Sequence, residues 1–261
     1  MLFSDDNTRY RYVKPPLIET ICQLRFPTVL SIGNDVPADF QEAIQADFPK
    51  YTARKEQQPP KVENGKLTPQ PSITNHTFVS TDGVWKVNLT KDFIALSTLR
   101  YASWETFAQT LDKVLAAFIQ VYNPAYFLRI GLRYMNAISR DLLGVTNLLW
   151  DDLINSPFIG ILDQPDVNEN TTAKSMVDAD TAIGGGRRLR LHCGPGILNN
   201  GKQKEAKPRF IIDSDLSLVQ EQIPGERIAE EMNTLHDYAT RLFNAAATQE
   251  LKDAMGPTPI E

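Results

Sequence analysis

Apolar residues recur along this chain with two periods, and the switches between them outline a mixed fold. Residues 17–27 (LIETICQLRFP) alternate: Ile18, Thr20, Cys22, Leu24 and Phe26 share one side, Glu19, Gln23 and Arg25 the other, as in a half-buried strand. Lys14-Pro15-Pro16 cannot be helical and feeds the chain into that strand extended. Asp35 and Pro37 open a short helix with Phe40, Ile44 and Phe48 on one face, ended by Pro49. Residues 52–75 hold four prolines and few large apolar side chains, and read as a mobile loop. His76–Thr81, Val84–Leu89 and Phe93–Thr98 read as strands, the first two joined by a two-residue turn at Asp82-Gly83. Ser103 caps an amphipathic helix carrying Trp104, Phe107, Leu111, Val114, Leu115, Phe118 and Val121 on one face, closed by Asn123-Pro124. Tyr126–Ile138 is the strongest strand pattern.

This order, β-α-β-β-(β)-α-β, predicts an α+β fold: an antiparallel sheet with helices on one face, the half 1–140 ferredoxin-like. In 141–261 a short helix is expected at Leu148–Ile154, a connection at 163–172, and strands at Lys174–Ala179, Arg187–Cys193 and Arg209–Leu218. A long helix follows from Glu226 to about Met255, with Ile228, Met232, Leu235, Ala239, Leu242 and Ala246 as one stripe. This second half stands beside the first or continues one sheet with it. No repeat of solenoid length is visible.

Composition narrows the class. The chain has 261 residues, 42% apolar and 23% charged, with net charge −5, enough apolar surface for packed cores and too little positive charge for a histone-like binder. Two cysteines outside CxxC spacing and three histidines point to a reducing, cytoplasmic setting without a zinc motif. The first residues, MLFSDDNTRYRYVKPP, lack the apolar core of a signal peptide, and no apolar run is long enough to span a bilayer.

Two motifs recur together in a known setting. Tyr12-Val13-Lys14-Pro15-Pro16-Leu17-Ile18-Glu19 followed by Leu24-Arg25-Phe26, and Arg129-Ile130-Gly131-Leu132-Arg133-Tyr134-Met135-Asn136, resemble the marks of a sporadically distributed, uncharacterised prokaryotic protein family. Trp104 with Phe107, Leu235-His236 with Phe243, and Met255-Gly256 extend the resemblance along nearly the whole chain. It implies no activity; the family's scattered distribution implies an association with mobile or antiviral defence genes.

Candidate chemistry lies in two places. Along 126–138, Leu128, Ile130, Leu132 and Tyr134 point one way, and Phe127, Arg129, Gly131, Arg133 and Met135 the other. Arg129 and Arg133 therefore share a side, about 13 Å apart. A neighbouring strand 17–27 adds Glu19, Gln23 and Arg25, and strand 84–89 adds Lys86 and Asn88. The result is a net-basic platform for an anion or nucleotide backbone, or a set of cross-strand pairs around Glu19 that buttress the second half. The segment Gly184–Arg209 carries Arg187, Arg188, Arg190, Lys202, Lys204, Lys207 and Arg209 against Glu205. Its glycines, 184–186 and 194/196, would let backbone approach a ligand; it has no aromatic for base stacking. A solvated hairpin whose arginines pair with Asp213 and Asp215 is the alternative.

Catalytic templates fail: Walker-A, GxGxxG, GxSxG and HExxH are absent. His192 and Cys193 face opposite ways, His236 reads as a buried hydrogen-bonded ring, and Asp213 with Asp215 would need Asp178 or Asp180 to hold a metal. The sequence therefore leads to a non-enzymatic cytoplasmic binding or assembly protein without cofactor, metal or membrane. It would engage a protein partner, or itself, through Arg129, Arg133, Glu19, Arg187, Arg188 and Arg190. The alternative is an RNA-binding accessory protein using the same arginines.

Overall fold

Alternating stretches become strands and 3.6-period stretches become helices, with departures at residues 52–75, at the β6–β7 turn and at the C-terminal helix. The computed structural model describes residues 1–57, 60–63, 66–68, 70–198 and 207–259. In chain order come β1 (Tyr10–Tyr12), β2 (Leu17–Arg25), α1 (Leu30–Asn34), α2 (Ala38–Ile44), β3 (Lys50–Glu56), β4 (Lys61–Glu63), β5 (Lys66–Thr68) and β6 (Ile73–Val79). Next are β7 (Trp85–Leu89), β8 (Phe93–Thr98), α3 (Trp104–Tyr122), β9 (Phe127–Ile138), α4 (Arg140–Leu143), α5 (Trp150–Leu153) and α6 (Ser156–Ile159). The chain closes with β10 (Val177–Gly184), β11 (Arg187–Gly196), β12 (Arg209–Ile223), α7 (Ile228–Ala246), α8 (Gln249–Met255) and β13 (Pro257–Pro259). Nine strands hydrogen-bond in the order β10-β11-β12-β9-β2-β8-β7-β6-β3; β1 pairs with β13 and β4 with β5. No helix among the described residues is long and apolar enough to cross a membrane.

Two compact units form, Ile21–Ile130 with Val219–Ile228, and Met1–Thr20 with Gly131–Leu218 and Ala229–Glu261; their boundaries fall inside β2, β9 and β12. In the first, the Ser103 side chain accepts from Thr106 N–H at the start of α3, and Asn123, at φ 41°, ends it in the left-handed conformation. Seven buried residues on α3, Phe107 and Phe118 among them, face the sheet. Phe118 packs on Phe26, Phe107 stacks on Trp85 at 5.8 Å, and Phe40 of α2 meets Phe78 edge-on at 5.4 Å. Each such buried ring contributes about 1.5–3 kcal/mol.

Residues 52–75 are not a structureless loop. β3 pairs antiparallel with β6 over seven residue pairs, from Lys50↔Val79 to Glu56↔Ile73. All seven residues of β3 are exposed, so no buried side imposes an alternation on its sequence. Pro60 and Pro71 fall between β3 and β6, outside their ladder, and Pro59 and Pro69 lie outside the described residues. The hairpin β6–β7 closes with four residues rather than two: Ser80 and Trp85 bond to each other, and Asp82 accepts from Ser80 Oγ and Val84 N–H.

In the second unit, the expected single C-terminal helix is two. α7 ends at Ala246, Ala247 bridges Ile154, and the Thr248 hydroxyl accepts from Leu251 N–H to start α8. Thr248 is thus a cap inside an otherwise helical pattern. The connection 163–172 is pinned through Glu169, which takes hydrogen bonds of 2.7 Å from both Arg140 and the Trp150 N–H, while the Arg140 guanidinium lies 4.2 Å over the Trp150 ring.

Candidate binding faces

The side chains of β11 divide cleanly. Leu189, Leu191 and Cys193 are buried, which sends Arg188, Arg190 and His192 to the opposite, open face. Strand register then builds three charged rows. Asp178, His192 and Asp213 lie abreast, as do Asp180, Arg190 and Asp215, and Ala182, Arg188 and Ser217. Asp180 joins Arg188 at 2.6 Å and Arg190 at 3.0 Å, and these hydrogen bonds hold its carboxyl below the usual range. His192 Nδ1 meets Asp178. Arg133 of β9 clamps Asp213 through Nε and Nη2, at 2.7 and 2.5 Å. That bond, with the charges of Asp213, Asp215 and Glu19, raises Arg133 above the normal guanidinium value against the cost of burial. A concavity of about 460 Å³ opens over Arg133, Arg190 and the four aspartates.

Three expectations change here. Arg133, Arg188 and Arg190 lie on an open face of their unit, with Glu19 acting on Arg133, whereas Arg129, Arg25 and Lys86 of the expected net-basic platform belong to the other unit. Counting Arg209 with Arg133, Arg188 and Arg190, four cations stand against Glu19, Asp178, Asp180, Asp213 and Asp215 among the described residues of these strands. Arg187 leaves the group: it shares the side of Leu189 and Leu191, and its guanidinium clamps Glu231 of α7 at 2.5 and 2.7 Å. The Glu231 side chain is only 3% exposed, so this is a buried pair. Strand parity in Arg187-x-Leu189-x-Leu191 already carried that signal. Finally, Arg188 and Arg190 pair with Asp180 of β10, and Asp213 is held by Arg133.

The glycines serve the chain itself. Gly185 and Gly186, at φ 61° and 78°, make the two-residue turn between β10 and β11. A side chain on Gly194 would meet the Ser175 carbonyl at 2.4 Å, so what approaches that glycine is protein backbone. Lys202, Lys204 and Glu205 lie outside the described residues.

The other unit presents a different face. α1, α2 and α3 pack against the side of β6 and β7 that carries His76, Phe78 and Trp85. On the opposite side the rows are Lys50, Val79, Lys86 and Ser97; Thr52, Thr77, Asn88 and Ala95; and Arg54 with Asn75. Asn88 Nδ2 donates to Asn75 Oδ1 at 3.0 Å and to Thr77 Oγ1 at 2.9 Å, and Asn75 Nδ2 donates to Glu56 at 2.9 Å. Arg25 of β2 and Arg129 of β9, whose Nη1 donates to Gln23 at 3.3 Å, extend this polar side. Five cations therefore stand against Glu56 on these positions among the described residues. Arg54 falls in the stretch expected to be a loop and Lys50 just before it, and only the strand assignment reveals that Lys50 aligns with Lys86.

Other candidates are committed. His236 is buried with Nδ1 2.8 Å from Tyr134 Oη. Burial pushes the Cys193 thiol up to about 12, and the Cys22 thiol higher still. Among the described residues no three His, Cys, Asp or Glu side chains converge to hold a metal ion. Compared with protein-family models and with curated proteins, the chain has no match.

Proposed function

We propose that this is a non-enzymatic binding protein of the cytoplasm that takes the phosphodiester backbone of a nucleic acid on the polar sheet side of its Ile21–Ile130 unit. The observation that carries this reading is the row pattern of β3, β6 and β7. Lys50, Arg54 and Lys86 stand opposite an aliphatic, an amide and a hydroxyl, with only Glu56 as an acid on these strands. Cations without a cross-strand carboxylate keep their field for an external anion. The absence of an aromatic on these rows favours backbone contact over base stacking. Protonated, buried thiols support the non-catalytic part of the reading and a reducing setting. The neighbour order β9-β2-β8-β7, with α2 and α3 between successive members in the chain, supports a ferredoxin-like N-terminal half. The two sequence motifs alone support membership of the sporadic prokaryotic family and its defence association.

Fluorescence anisotropy with labelled single-stranded RNA tests the site. Wild type binds at low salt, and its log affinity falls against log salt by about 0.7 per phosphate neutralised. Lys50→Glu with Arg54→Glu and Lys86→Glu weakens binding by about tenfold or more, about 1.4 kcal/mol. Arg188→Glu with Arg190→Glu leaves it within about twofold, well under that 1.4 kcal/mol step. No binding at low salt, equal loss in both variants, or equal affinity for poly-glutamate overturns the reading.

A further inference from the structure

The nine-stranded sheet ends in β10 on one side and β3 on the other. Both edges are exposed, eight and seven residues long, and free of proline. Such strands present unpaired backbone groups, and proteins usually guard them with charge. Here the two guards have opposite sign. β10 (VDADTAIG) carries Asp178 and Asp180 and no cation; β3 (KYTARKE) carries Lys50, Arg54 and Lys55 against Glu56.

We infer that the chain assembles with further copies of itself by edge pairing, β10 of one copy against β3 of the next. Two β10 strands would oppose aspartate to aspartate and two β3 strands would gather cations, so only the mixed pair escapes like-charge repulsion. One antiparallel register sets Asp178 against Arg54, Asp180 against Thr52 and Ala182 against Lys50, with Asp180 diagonal to both cations. Diagonal neighbours lie about 7–8 Å apart, within reach of long side chains. In that register Asp178 and Asp180 keep the open face they share with His192 and Arg190, and Lys50 and Arg54 keep the face they share with Val79 and Asn75. The pairing joins two different surfaces, so each copy still offers one unused edge and assembly proceeds head to tail. Lys50 and Arg54 serve both readings, and a paired edge no longer offers them to an external anion; light scattering without nucleic acid reads the pairing alone, and anisotropy at protein concentrations where the chain is monomeric reads the anion site alone.

Light scattering on the purified full chain reads the result. Wild type shows a mass that rises above 29.3 kDa with concentration. Asp178→Lys with Asp180→Lys remains monomeric, as does Arg54→Glu with Lys55→Glu, because in each variant both edges carry the same sign. Mixing the two variants restores assembly, since each then offers the edge the other needs. A wild type that stays monomeric, a variant that assembles alone, or a mixture that does not assemble overturns the inference. Should a variant fail to fold, amide exchange on the wild type decides: residues 177–184 and 50–56 become protected as concentration rises, and protection elsewhere alone overturns it.

Discussion

The two units solve the same problem, charged side chains gathered on one side of a set of strands, in opposite ways. Around β11, Arg133, Arg188 and Arg190 each meet a carboxylate, and the face carries one acid more than its cations. Around β6 and β7, Lys50, Lys86 and Arg54 meet Val79, Ser97 and Asn75. Both sets of strands alternate polar and apolar residues, so alternation alone does not decide whether a face attracts anions. Register does, because it chooses each cation's neighbour.

Three changes sharpen this contrast. The largest effect belongs to the one pair of β11 turned inward: Arg187→Ala strands Glu231 without its cation and lowers stability by about 3–5 kcal/mol in urea unfolding. A loss no greater than that of an exposed pair would show that water reaches Glu231. A smaller effect comes from His76 in the other unit, buried between Tyr51 Oη at 2.9 Å and the Ile32 carbonyl at 3.2 Å. Desolvation holds its pKa below the usual histidine value, with the Ile32 hydrogen bond opposing. The unfolded ring therefore binds a proton first as pH falls through about 6.5, and stability drops on acidification while remaining constant above that range. The urea midpoint should fall between about pH 7.5 and about pH 5.5, and His76→Gln should flatten that fall; an unchanged slope would assign it to other groups. The smallest effect is that of Asp180→Ala. Its partners are 48% and 70% exposed, so the urea midpoint should not move measurably. A clear drop would mean that the charged rows hold the sheet together.

What the sequence disclosed follows from where the information sits. α3 was readable because its stop, Asn123, its cap, Ser103, and its apolar stripe are all local. The buried side of β2, with Cys22 and Leu24, was readable because it is dry while Arg25 on the other side is exposed. β3 was not, since water on both sides leaves no alternation to read. The end of α7 was hidden because Thr248 is an ordinary surface residue until its hydroxyl caps α8. The partners of the arginines were hidden for another reason. Arg133 and Asp213 are 80 residues apart and Arg187 and Glu231 are 44 apart, and only the assembled sheet and its packed helix bring them together.

The sulfur atoms give this architecture a practical consequence. Cys22 belongs to one unit and Cys193 to the other, and both lie at 0% exposure with their protons held tightly. An alkylating reagent needs the thiolate, so neither residue is modified while its surroundings stay closed. Each half of the molecule thus contains its own silent clock, and the rate at which each sulfur is labelled times how often that half breathes.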